Sequence, residues 1–257
     1  AAVTMLFGSL VAGSTPQGGG AVAFPVFTKL VGVDPTVARS FSLMIQAVGM
    51  TSAALIIVVS GRRIDWVAVR WAAPAAVAGF LATMVVFGDA GQPFWPVDVP
   101  GPYVRVSFTI LVAAMAWLVW TGTRLPVRLV TLASPGANRR VAALLVLCGI
   151  AGGGISALVG SGADVVLYLA IVVALGIDPR VGVPTSVVVM AMVSVAGFLL
   201  LGLADGQLVV DRVGNDVVEV GGHAITATPA VEADLFGMWI AAVPIVAWGA
   251  PIGSVLV

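Results

Sequence analysis

This chain of 257 residues contains one cysteine, Cys148, one histidine, His223, and one lysine, Lys29. A single cysteine excludes a disulfide framework and a cysteine metal cluster. A single histidine excludes a histidine metal site and a histidine proton relay. Paired intramembrane acids and a Ser/His/Asp set are missing as well, so the chain is not expected to be an enzyme or to carry a metal or cofactor. Charge is also scarce. Charged residues make up 9% of the chain and cancel to zero, whereas a soluble domain carries about 25%. There is no basic tail for an anionic macromolecule, and soluble and nucleic-acid-binding classes fall away. No signal peptide is recognisable at Ala1. A start without methionine and an end at Val257 inside an apolar run are expected of a trimmed piece of a longer protein.

Apolar length is what the chain has in quantity, since hydrophobic residues account for 60% of it. A spanning helix needs roughly 20 apolar residues. Thr36 to Val59, Ile64 to Phe87, Tyr103 to Thr121, Val141 to Val159 and Val181 to Leu203 meet that length, and Asp234 to Val257 begins another. Two regions do not fit. Ala1 to Ala12 and Ala21 to Val31 are short and are separated by the polar run Gly13-Ser14-Thr15-Pro16-Gln17-Gly18-Gly19-Gly20. Val165 to Leu175 is likewise cut from Val159 by Gly160-Ser161-Gly162-Ala163-Asp164. Unwound backbone at membrane depth is tolerated only where protein buries it or it lines a cavity.

The order of segments repeats. Gly32-Val33-Asp34-Pro35-Thr36-Val37 matches Gly176-Ile177-Asp178-Pro179-Arg180-Val181, an offset of 144 that also pairs Gly8 with Gly152, Gly18 with Gly162 and Ser42 with Ser186. An odd number of segments separates each site from its mate, which predicts halves of opposite orientation. The expected fold is therefore an all-α integral membrane protein of two inverted-topology repeats with broken or re-entrant short helices. The first repeat is placed at 1–122, a basic linker at 123–140 and the second repeat at 141–257. Within the second, 205–233 reads as an external hairpin insertion containing His223, with Val209-Val210 and Val217-Val218 flanking a Gly214-Asn215 turn.

Arg62, Arg63, Arg70, Arg124, Arg128, Arg139, Arg140 and Arg180 gather on one side, which is then cytoplasmic. Trp66, Trp71, Trp117 and Trp120 fit an aromatic belt on that face, and Trp95 and Trp239 fit the outer one.

Paired, glycine-interrupted segments in two halves of a membrane protein point to a transporter binding site. In the first, Gln17, Gly18, Gly19 and Gly20 would turn backbone N–H groups and a helix start toward an anion. Close helix packing by small residues is the plainer reading. Arg39, Ser42, Gln46 and Gly49 fall on one helix face, and a polar stripe should face protein or water rather than lipid. Arg39 either draws anions inward or snorkels to the interface. In the second half, Ser161, Gly162, Thr185 and Ser186 occupy the corresponding places. Asp164 stands where the first half has Gly20, and an intramembrane carboxyl is a functional candidate by default. It reads as a proton-coupling group, or as a helix cap bonding the N–H of Val166 or Leu167.

Together these features resemble the TauE/SafE family of sulfite and organosulfonate exporters. The resemblance is carried by Gly8, Gly13, Gly18-Gly19-Gly20 and Pro25, and by Gly32 with Arg39-Ser40-Phe41-Ser42-Leu43 where the family shows Ala-x-x-Thr-Ser-Leu. Asp65-Trp66 and the second-half Gly160, Gly162, Gly176 and Pro184-Thr185-Ser186 complete it. It implies a multi-pass carrier of the bacterial inner membrane that moves small anionic sulfur or carbon compounds, coupled to protons or another ion. Phe41 and Gly162-Ala163-Asp164 depart from the family pattern at the expected site, so the resemblance does not carry the substrate's identity across. The expected function is a secondary transporter for small anions, with Gln17, Gly18, Gly19, Gly20, Ser42, Gln46, Ser161, Gly162, Thr185 and Ser186 binding substrate and Arg39 and Asp164 coupling or gating. An anion channel or an assembly factor without catalytic chemistry is the alternative.

Overall fold

The computed structural model describes residues 8–9, 26, 35–89, 92–97, 106, 109–110, 113, 116–117, 120, 139–205, 218–220, 223–225 and 235–255. Among these residues the elements in chain order are helix α1 (Pro35–Val59), helix α2 (Trp66–Phe87), strands β1 (Gly88–Asp89) and β2 (Gln92–Val97), and helix α3 (Arg139–Val159). A short helix α4 (Ala163–Tyr168) runs into a π-helical turn, Leu169–Ala174, followed by helix α5 (Pro179–Asp205), strands β3 (Val218–Val220) and β4 (His223–Ile225), and helix α6 (Leu235–Val255). Among the described residues four helices are long and apolar enough to cross a membrane, within α1, α2, α3 and α5. The helical membrane class read from the sequence is borne out. In lipid only a helix or a closed barrel satisfies its own backbone groups, and these segments are apolar without the strand-like alternation a barrel needs.

Each helix boundary has a local cause. At the end of α1, Gly61 adopts φ 65°, its N–H bonds Val58 O, and Arg62 N–H reaches back to Ile57 O. That is the Schellman arrangement, with glycine at the left-handed position. Helix α2 starts two residues later than the apolar pattern alone suggests because Asp65 caps it, its Oδ1 accepting the Ala68 N–H at 3.0 Å. Helix α5 begins at Pro179, whose missing N–H costs nothing in the first turn. Asp178 Oδ1 takes the Arg180 N–H at 2.9 Å there. Replacing Asp65 with alanine is expected to cost about 1 kcal/mol, read as a lower melting temperature in detergent, with Asp65→Asn recovering most of the loss.

Contacts fix the helix directions. Asp65 bonds Thr185 and Phe80 lies against Gly197, so α2 and α5 run the same way. Ala72 lies against Gly149 and Phe80 against Gly153, so α3 joins them. Helices α1 and α6 run together, with Met44 bonded to Trp239 and Gly49 against Val246. The tight turn at 60–65 puts the end of α1 beside the start of α5, while Leu43, near the start of α1, touches the far half of α5 at Gly197. Helices α1 and α5 are thus antiparallel. One end of the bundle consequently collects Arg62, Arg63, Arg70, Arg139, Arg140 and Arg180, so the charge asymmetry of the sequence is also an asymmetry in space.

Among the described helices the α2–α3 contact is the most extensive, and small residues make its closest approaches. Ala72, Ala75 and Ala76 on α2 meet Gly149 and Gly153 on α3, and Gly79 meets the backbone of Ile150, all at close distance, the approach that small side chains allow inside a membrane. Helices α1 and α5 are the most enclosed, whereas α2 and α3 show more of their surface. Between their arginine-bearing ends, α2 and α3 turn apolar side chains outward, among them Trp66, Val86, Leu147 and Ile150, which suits a lipid surround.

Three features differ from the sequence reading. Strands β1 and β2 pair antiparallel after α2, a hairpin that Pro93 and Pro96 hid from a pattern search. The strand holding His223 pairs with Val218–Val220, leaving 221–222 between them, while the expected Gly214-Asn215 turn lies outside the described residues. Trp239 packs inward rather than serving only as a belt residue, stacking on Phe198 at 5.6 Å and donating its indole N–H to Met44 O at 3.1 Å. Trp66, Trp71, Trp117 and Trp120 are exposed as a belt requires.

Candidate functional site

The described part of the site begins where α3 stops. Gly160 and Gly162 take φ 86° and 147°, values that L side chains reach only under strain, and between them the chain unwinds and re-enters as α4. Backbone N–H groups at a new helix start need acceptors. Ser156, still on α3, provides one, its Oγ accepting the Ala163 N–H at 2.8 Å. The same hydroxyl donates to Met190 Sδ of α5 at 3.9 Å. Gly162 O takes the Val166 N–H at 3.0 Å. One serine thus ties the broken helix to both of its neighbours. Below the break, the π turn widens the helix until Ile177 N–H bonds Ile171 O across Gly176, which holds φ 70°.

Asp164 follows directly and is fully buried. Its Oδ1 accepts the Val165 N–H at 2.9 Å, and Oδ2 has no partner among the described residues. The capping place itself belongs to Gly162, and the Val166 N–H that Asp164 was expected to bond goes to the Gly162 carbonyl instead. A buried carboxyl with one oxygen unused is unlike an ordinary cap, since unsatisfied polar atoms in the core are few and call for a reason.

The remaining candidates separate by what their side chains already do. Thr185 donates to Val181 O at 2.6 Å and accepts the Asp65 N–H at 3.0 Å, so its hydroxyl pins α5 to the start of α2. Ser186, one residue on, donates to Val183 O at 3.0 Å. Ser161 is buried in the break. On α1, Gln46 Nε2 donates to Ser42 Oγ at 3.2 Å, and both side chains are buried. Arg39 lies near the start of α1. Gln17, Gly18, Gly19 and Gly20 lie outside the described residues.

The structure therefore brings Ser156, Ala163 and Met190 to one point beside Ser161, Gly162 and Asp164, and sets Ser186 one turn from Met190 on α5. Ser42 and Gln46 lie on the helix that packs antiparallel against α5. Sequence reasoning missed Ser156 and Met190, because a serine and a methionine in apolar helices carry no periodic signal. The offset of 144 offered one clue, since Met190 is the mate of Gln46. Chemically the arrangement offers neutral hydrogen-bonding groups and one carboxyl inside an apolar bundle, a setting for binding and moving a small polar solute.

A model of the family described as Sulfite exporter TauE/SafE matches residues 1–257. The chain belongs to the TauE/SafE family. A search of curated proteins and one of solved structures return no match. As a TauE/SafE protein the chain is a multi-pass membrane transporter of a family of sulfite and organosulfonate exporters, with a small anion as substrate and the bilayer as its surroundings. Members of the family are transporters rather than enzymes, in keeping with the absence of catalytic constellations from the sequence.

Proposed function

We propose that this TauE/SafE protein is a secondary carrier of small oxyanions or sulfonates that works by alternating access between two inverted repeats. The solute binds near the midplane, between the glycine run Gly13 to Gly20 and the break Gly160 to Asp164. Gln17, Gly18, Gly19 and Gly20 line one half of the site, and Ser161, Gly162, Thr185 and Ser186 the other. Ser42 and Gln46 line the path, and Arg39 and Asp164 couple or gate it. The observation that carries this reading is the break itself, where a glycine-built interruption sits among buried neutral polar side chains inside membrane-length helices, the pattern of carrier binding sites.

Several contacts support the inversion. Helices α1 and α5 begin at the matched prolines Pro35 and Pro179 and run in opposite directions. Val26 is π-helical, and so is its mate Ala170. The packing of Ser9 on Gly249 of α6 has its counterpart in Gly153 on Phe80 of α2. The arginine-rich end faces the cytoplasm by the positive-inside rule. Alternating access follows as a rocking of one repeat against the other around the shared site.

The test is flux of radiolabelled sulfite and taurine into proteoliposomes. Saturable uptake with counterflow is expected of a carrier, whereas a channel gives no counterflow. Gln17→Ala and Gly19→Leu are expected to abolish most of the flux while leaving folding intact. Unchanged transport in both variants removes the first glycine run from the site.

A further inference from the structure

Helices α1 and α5 each carry a buried polar group that nothing described in the protein satisfies. Gln46 Oε1 and Ser194 Oγ have no hydrogen-bond partner among the described residues, and the two side chains are 1% and 0% exposed. Each is on a different helix, and register places them at the same height. Leu43 of α1 lies against Gly197 of α5, and the helices are antiparallel. Three residues forward on α1 and three back on α5 each advance about 4.5 Å in the same direction, from that contact to Gln46 and to Ser194. One further turn brings Met50 and Met190 level in the same way, and all four side chains are buried. Met190 takes the Ser156 hydroxyl that also holds the start of α4, so this seam opens onto the helix break. Gln46 and Ser194 therefore face one seam without bonding each other, and an unsatisfied polar pair in an apolar interior calls for a ligand.

We propose that the Gln46 amide and the Ser194 hydroxyl together hold one oxygen of the transported oxyanion, which makes Ser194 a binding residue of the carrier. This rests on the carrier reading above and adds to it a residue and a recognition chemistry. A half-turn of the Gln46 amide lets the Ser42 hydroxyl donate to Oε1 and turns Nε2 into the position where Oε1 stood. The seam then presents two neutral donors, Nε2–H and Oγ–H. Neutral donors suit a solute that must leave again, since they avoid the tight ion pair an arginine would make. The repeat explains why the matched place on these two helices lacks such a pair. The mates of Gln46 and Ser194 are Met190 and Met50, so the equivalent seam position carries two methionines and one arrangement of the solute is favoured over its mirror.

Ser194→Ala and Gln46→Ala are each expected to weaken sulfite binding about tenfold, read as loss of the sulfite-induced rise in melting temperature of purified protein, while the melting temperature without sulfite stays near that of the parent. The double variant is expected to lose less than the product of the two single losses, because both groups serve one oxygen. Parent-like sulfite stabilisation in Ser194→Ala overturns the pair. A second readout needs no solute at all. In a Cys148→Ser background, which has no other cysteine, the Gln46→Cys, Ser194→Cys protein is expected to be bridged by dibromobimane with a rise in fluorescence. Failure to bridge overturns the juxtaposition. If the parent protein neither binds nor moves sulfite or taurine while the thiols do bridge, the carrier reading for oxyanions fails and the seam geometry stands.

Discussion

Replacing Gly153 with alanine is expected to destabilise the folded protein by about 3 kcal/mol or more, the upper range for overpacking a tight core. The reason is local and severe. A methyl group at Gly153 would overlap the Ala76 carbonyl oxygen and would stand 2.9 Å from the Phe80 nitrogen, both of them backbone atoms of α2. Backbone cannot swing aside as a side-chain tip can, so the two helices must move apart along a contact made almost wholly by small residues. Gly154 is the control. It is the next residue on the same helix, and a methyl there meets only the hydroxyl of Thr83 at 3.0 Å. Gly154→Ala should cost far less than Gly153→Ala, because only a side-chain hydroxyl has to give way and alanine is favoured over glycine in a helix by about 1 kcal/mol. The measurement is the melting temperature and the yield of monodisperse protein in detergent. Equal behaviour of the two variants contradicts the close packing of α2 on α3.

Asp164→Asn is expected to leave the fold intact and to uncouple transport. Asparagine keeps an acceptor for the Val165 N–H that Oδ1 now holds, so the start of α4 is preserved. What it loses is the ability to carry a proton on Oδ2, the oxygen that has no partner among the described residues. Uptake driven by a pH gradient should fall about tenfold or more, a loss of about 1.4 kcal/mol in driving the step, while counterflow of labelled against unlabelled solute continues. Asp164→Leu separates this from a structural role. It leaves the Val165 N–H buried without an acceptor, at a cost of about 1–3 kcal/mol, and should lower the melting temperature as well. Gradient-driven uptake unchanged in Asp164→Asn would show that the carboxyl serves the backbone alone.

The helices were legible in the sequence because the bilayer forces long apolar runs to be helical, and the Gly-x-Asp-Pro copies marked where α1 and α5 would start. Their ends depended on finer chemistry. The start of α2 was set by Asp65, whose backbone N–H is held by Thr185, a residue 120 positions away in the chain. No local pattern reports such a contact, and for the same reason Thr185 reads in the sequence as a free polar group. The break at 160–164 was legible because glycines and a carboxyl stand out in an apolar run. Ser156, Met190 and Ser194 were not, because each looks like an ordinary small or apolar residue until the neighbouring helix is in place. The π turn at Leu169–Ala174 was also hidden, since an extra residue in a helical turn leaves the apolar composition unchanged. Charge was the most transferable signal. Arg62, Arg63, Arg70, Arg139, Arg140 and Arg180 gather at one end of the bundle because α2, α3 and α5 all start there, while Arg124 and Arg128 lie outside the described residues.

This TauE/SafE protein is proposed to bind a small oxyanion at the paired breaks and to carry it across the membrane. Counterflow in proteoliposomes tests that most directly, with unlabelled sulfite inside and a trace of labelled sulfite outside. Transient accumulation of label by the parent protein, saturable with outside sulfite, is expected, as is its loss in Gly19→Leu protein that folds normally. Label that only equilibrates, or accumulation that survives in Gly19→Leu, would contradict this.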